Sequence, residues 1–205
     1  MTTGVTPSTL APRAAVVGVV TGLFLMAFFT LMWSANTFAA WPAAVAWPIW
    51  AAFAILAVCF IAQGVRLIGL RKRFPAKLSA EDEQYRRSSG RAFGIIFGAE
   101  ALAIWIVVLI LNATGQADYV VPAIALIVGL HFYPMARVFR RTIDLYLATW
   151  TTLVGLAGIG ALAAGASKDP VIGMVAVGAA LATTIYGVYI SREAGKLIRG
   201  ARQAA

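Results

Sequence analysis

Two ionisable side chains interrupt the apolar runs of this sequence. Glu100 lies in GAEALAIW, and His131, the only histidine, lies in GLHFYPMAR. Both runs are long enough to cross a membrane, where an ionisable group is costly and turns toward the bundle interior and a partner. A carboxylate and an imidazole at one depth can form an ion pair, share a proton, or act as acid and base. Counting inward from Arg91 at about 1.5 Å per residue puts Glu100 roughly 13 Å from the basic edge of its run. Counting back from Arg137 puts His131 roughly 9 Å from the same edge. Only a short turn separates the two runs, so antiparallel neighbouring helices with the pair face to face are expected. Pro134 cannot donate to the carbonyl of Leu130, so a kink and a freed acceptor beside His131 are also expected.

Further polar side chains fall at similar levels. Gln63 ends the second run, Tyr133 and Arg137 end the fourth, Asp144 begins the fifth, and Thr183, Tyr186 and Tyr189 occupy the inner half of the sixth. Together they outline a candidate intramembrane polar site with a cavity open to one side. The alternative is a hydrogen bond that only locks two helices, a common use of polar groups between membrane helices. Catalytic signatures are missing: one histidine, one cysteine (Cys59), no metal-ligand spacing and no GxSxG. No metal, no cofactor and no catalytic residue is therefore assigned.

The elements that must position these groups follow from composition. Hydrophobic residues make up 61% of the chain and charged residues 12%, with a mean hydropathy of +0.84, far from a soluble domain. Six apolar runs reach the length needed to cross a hydrocarbon core: Ala14–Trp33, Ala43–Gln63, Ala92–Leu111, Tyr119–Ala136, Leu145–Ala166 and Val171–Ile190. Each must satisfy its own backbone hydrogen bonds, and alternating barrel strands are absent, so helices are expected. The fold class is an all-α polytopic membrane bundle forming one domain over residues 1–205. The first run exceeds the usual apolar region of a secretory signal, about 7 to 15 residues, and is expected to be retained.

Charge is sorted by loop. Sixteen of the 17 basic residues fall at the first terminus, between runs two and three, between runs four and five, and after run six; Lys168 alone falls on the other side. The positive-inside rule then gives three hairpins with both termini cytoplasmic, in the cell membrane. This sorting, rather than nucleic-acid binding, accounts for the net charge of +9. Residues 65–91 form a basic cytoplasmic elbow. Ordinary positive-inside bias accounts for the bases of RLIGLRKRFPAKL within it, a surface suited to anionic lipid headgroups is the alternative, and a helix capped by Ser79 is expected to run through Arg91 into the third span. Trp33 and Trp41 are expected to anchor at the opposite interface, Thr142 to cap the fifth span, and Asp169-Pro170 to start the sixth. Gly18 with Gly22, Gly94 with Gly98, and the glycines of span five imply close helix contacts.

GAEALAIW, Gly98 to Trp105, and IALIVGLHFYPMAR, Ile124 to Arg137, resemble a pattern found in small bacterial multi-pass membrane proteins with no assigned activity. The resemblance covers about Arg91 to Asp144, and GLHFxPxAR is its more specific part. It brings no biochemical role with it. From the residues themselves, the expected function is transport-like or small-ligand-binding, with proton exchange at Glu100 and His131. A homodimer is expected because six helices enclose only a modest pathway. One alternative is an intramembrane enzyme acting on a lipid or isoprenoid-like substrate, with Glu100 as acid or base. Another is a structural or assembly factor.

Overall fold

The computed structural model describes residues 11–76 and 80–203. Its helices are α1 (Arg13–Ala35), the short α2 (Thr37–Ala40), α3 (Ala43–Leu70), α4 (Ala80–Ala113), α5 (Val120–Phe139), α6 (Thr142–Ala163) and α7 (Lys168–Gln203). Single 3-10 turns at Arg71–Arg73 and Ala117–Tyr119 join α3 to α4 and α4 to α5. Six helices are long and apolar enough to cross a membrane, and no strand occurs among the described residues.

The bundle is organised around α7. In its most apolar stretch 67% of residues are buried, whereas α4 buries only Ser89 and Glu100 among its described side chains. Small side chains make this central position possible, because they let neighbouring helices approach the α7 backbone closely. Trp41 covers Gly173, Val154 covers Gly178 and Phe60 covers Gly187, each where a Cβ would collide. Two buried clusters result, one built on Leu23, Phe60, Leu67, Phe132 and Tyr186, the other on Trp33, Phe53, Val171 and Val175. Thr30 on α1 is hydrogen-bonded to Thr183 on α7 at 2.9 Å, both side chains buried.

The glycine contacts differ from the sequence expectation. Gly94, Gly98, Gly18 and Gly160 have no side-chain or neighbouring atoms near an added Cβ, so the Gly94/Gly98 pair is not a close contact within this chain. The tightest approach joins α5 and α6 through Gly129 and Gly155. A Cβ on Gly129 would strike the backbone of Thr152, and one on Gly155 the backbone of Leu126. One glycine from each helix creates this crossing, so no repeat along either sequence announces it.

Other boundaries also shift. The expected elbow resolves into the end of α3, the 3-10 turn and the start of α4, which runs unbroken through Arg91 as expected. Ser79 lies outside the described residues. Arg13 ties the start of α1 to this region, its backbone N–H donating to Pro75 O at 2.9 Å and its Nε to Arg71 O at 3.2 Å. Phe74 is buried in the core beside them. Thr142 does not cap: it is the first residue of α6, Arg141 takes the cap position, and no side chain bonds the exposed N–H groups. Pro170 does fall in the first turn of α7. Trp33 is only 3% exposed and belongs to the core; the aromatic cluster at that end is Phe38 and Trp47, both exposed, with the half-buried Trp50. Helix α5 continues through Pro134, whose side chain faces outward.

The crossing makes a test of the packing. Gly129→Ala and Gly155→Ala should each lose about 1 to 3 kcal/mol, the usual cost of overpacking. Gly98→Ala should stay within about 0.5 kcal/mol of the parent, as for an open surface position. Melting in detergent would measure all three, and equal losses would disprove the assignment of the close contact to α5 and α6.

Candidate functional site

Glu100 reaches the bundle from its edge. Helix α4 packs chiefly on α5, and Ser89 and Glu100 are its only buried residues among those whose side chains are described. The other large side chains of its apolar half, such as Ile95, Leu102, Trp105 and Ile110, are exposed as expected of a lipid-facing helix. Glu100 therefore points inward against the surrounding pattern. Its Oε1 approaches His131 Nδ1 to 3.1 Å, and the two side chains are 8% and 12% exposed. The approach lacks hydrogen-bond geometry, so His131 Nδ1 and Glu100 Oε2 are buried without a hydrogen-bond partner.

A second group lies where α5, α6 and α7 converge. The chain reverses between α5 and α6 at Arg140, in the left-handed region at φ 52°, and Arg141. Asp144 follows in the first turn of α6, fully buried, with the Tyr186 phenol beside its carboxylate. The N-terminal end of a helix favours a negative charge, which offsets part of that burial. Arg141 Nη1 donates to the Tyr186 hydroxyl at 3.2 Å, and both groups lie within electrostatic reach of Asp144. Burial alone would lower the affinity of the Arg141 guanidinium for its proton. Tyr186 and Asp144 outweigh burial and hold it above its ordinary value.

His131 links the two groups. Its ring stands 4.3 Å from that of Phe132, which in turn packs edge-on against Tyr186 at 6.0 Å. The arrangement therefore holds two carboxylates, one imidazole, a phenol and a guanidinium on four helices, with several polar atoms lacking partners. Chemically, it can take up, release or relay a proton. No group of three His, Cys, Asp or Glu side chains among the described residues is placed to hold a metal ion.

The remaining residues of the expected site separate. Tyr133 leaves the cluster to share a hydrogen bond with Thr149 at 3.2 Å, Arg137 is exposed, and Gln63 lines a different feature between α3 and α7. Tyr189 stacks on Tyr186 at 6.1 Å. Arg141 and Thr151 were not singled out by sequence. Arg141 could have been found as a base three residues before an intramembrane acid. Thr151 lies two turns beyond Asp144 and lines, with Thr183 and Phe132, a void of ≈ 10 Å³, about the size of one water position.

Comparison with known protein families, with characterised proteins and with solved structures returns no match for this chain.

The geometry makes a stability prediction. Replacing Glu100 or His131 alone by an apolar residue leaves the other buried and unpartnered, at a cost of about 1 to 3 kcal/mol. The double variant Glu100→Leu/His131→Leu should then be milder than the sum of the singles. Amide exchange in α4 should rise in the singles, because Glu100 is its main inward anchor. Strict additivity with unchanged exchange would show that the two side chains do not interact.

Proposed function

We propose that this chain is a proton-linked membrane protein, transport-like or small-ligand-binding, in which Glu100, His131 and Asp144 change protonation together. The observation carrying this reading is the incomplete satisfaction of the cluster. Groups that serve only as glue between helices are best fully hydrogen-bonded, whereas His131 Nδ1 and Glu100 Oε2 are buried with no hydrogen-bond partner. Unpaired buried acceptors beside an imidazole are ready to receive a proton or a polar ligand. The basic residues at the same end support an orientation with both termini cytoplasmic, three hairpins and a site in the inner half of the cell membrane. Proton and ligand then exchange with the cytoplasm. A homodimer belongs to this reading because one chain encloses so little space, and anionic headgroups gather at its basic end. The reading includes kinship with small bacterial multi-pass proteins, supported by the resemblance of GLHFYPMAR to a pattern found in them.

One observation favours a structural role instead. The enclosed void near the cluster, ≈ 10 Å³, admits no ligand larger than water.

Liposomes holding purified protein and a trapped pH indicator distinguish these readings. Imposed gradients of alkali cations, small amines and small organic acids should include at least one that drives proton movement with the parent protein. His131→Gln, which keeps hydrogen bonding but does not titrate, should fold normally and abolish that movement. No coupled movement with any of these solutes, together with a melting loss as the only effect of His131→Gln, would favour the structural role. Orientation is tested separately in a Cys59→Ser background. Cysteines at Ala39 and Ala117 should react from outside intact cells and one at Ser88 only from inside; outside labelling of Ser88 would reverse the topology.

A further inference from the structure

A groove of ≈ 550 Å³ runs between α3 and α7, on residues that belong neither to the Glu100 pair nor to the Asp144 group. Its α3 wall is a helical stripe of Leu56, Cys59, Phe60 and Gln63. Its α7 wall carries Val188, Ser191, Arg192, Lys196 and Arg199, in which positions 188, 192, 196 and 199 recur at helical spacing. The two walls are graded in the same sense. The deep end, from Leu56, Phe60 and Val188, is apolar, and the end nearer the chain's basic rim is cationic. Between them lie Gln63 Oε1 and Ser191 Oγ, both buried without a hydrogen-bond partner. Lys196 is paired with Glu193 at 2.7 Å, whereas Arg192 and Arg199 are exposed with no hydrogen-bond or ion-pair partner among the described residues.

We infer that this groove binds one anionic phospholipid. Its phosphate lies against Arg192 and Arg199, its headgroup or glycerol oxygens meet Ser191 and Gln63, and an acyl chain follows Phe60, Leu56 and Val188. From Arg199 to Val188 the wall extends about 16 Å at the helical rise, enough for a headgroup and the first part of a chain. Charge selects the class. Two unpaired guanidiniums favour a phosphate that carries net negative charge over a zwitterionic headgroup whose own cation competes for it. The buried Gln63 acceptor adds a preference for a headgroup bearing hydroxyl donors, such as phosphatidylglycerol.

The only cysteine, Cys59, lines the groove and is exposed, so it reports occupancy directly. Maleimide labelling of the purified full chain would be timed in detergent with added phosphatidylglycerol, phosphatidylcholine or inorganic phosphate. Phosphatidylglycerol should slow labelling about tenfold relative to phosphatidylcholine, and native mass spectra should retain one such lipid per chain, as expected for at least one extra base contact. Arg192→Gln/Arg199→Gln should remove the difference, while Arg87→Gln/Arg91→Gln, with the same charge change on α4, should preserve it. Equal protection by both lipids, or equal loss in the two double variants, would overturn the proposal. Protection by inorganic phosphate alone would also overturn it, by identifying a free-phosphate site. Comparison of the lipids on the parent protein needs no variant, so the test stands even if Arg192→Gln/Arg199→Gln misfolds.

Discussion

A charged or strongly polar side chain deprived of water must find its partners inside the protein, and that constraint organises this bundle. A charge at the centre of a membrane helix costs about 2.5 to 3.5 kcal/mol on insertion scales. Helix α4 bears that cost at Glu100, and the same residue is what ties it to the rest. Its neighbours on α4 look outward, while its carboxylate meets His131 at 3.1 Å. On α6 the same constraint is met differently, with Asp144 buried at a helix N-terminus and an arginine and a tyrosine beside it.

The central helix has the opposite character. Helix α7 packs against five other helices through small residues that neighbouring side chains cover, with a few polar bonds such as Thr30 to Thr183 and Trp150 Nε1 to Gly178 O at 2.8 Å. The mobile possibilities concentrate on α4, which lacks such contacts. A tight frame of α1, α3, α5, α6 and α7 with one loosely held helix is an arrangement suited to a protonation-driven switch. The groove between α3 and α7 belongs to the frame, so a lipid bound there would brace it without touching the Glu100 pair.

Much of this was legible in the sequence. The Glu100 and His131 meeting follows from a constant rise per residue and a short connecting turn, which fix two depths and make two helices neighbours. The convergence of Asp144, Arg141 and Tyr186 was only half legible, because it depends on how α6 and α7 are rotated, and apolar helices in lipid carry little amphipathic pattern to set rotation. Gly94 and Gly98 misled because a small-residue pair states where close approach is permitted, not what fills it. Gly155 was among the span-five glycines expected to make a close contact, but its partner Gly129 was missed because the two halves of the crossing lie on different helices. Trp33 misled because the end of a span suits both a rim anchor and a core residue, and the turn into α2 folds it inward. Gln63 was grouped by depth with His131, but depth does not specify the side of the bundle.

Because His131 is the only histidine, a nitrogen-15 label in histidine reports on one ring alone, and its chemical shifts followed against pH test the central claim most directly. If Glu100, His131 and Asp144 form one protonation site, the midpoint of the imidazole titration should move, and in the same direction, in Glu100→Gln and in Asp144→Asn. An identical titration in the parent and both variants would contradict the account and leave the pair as a static link between α4 and α5.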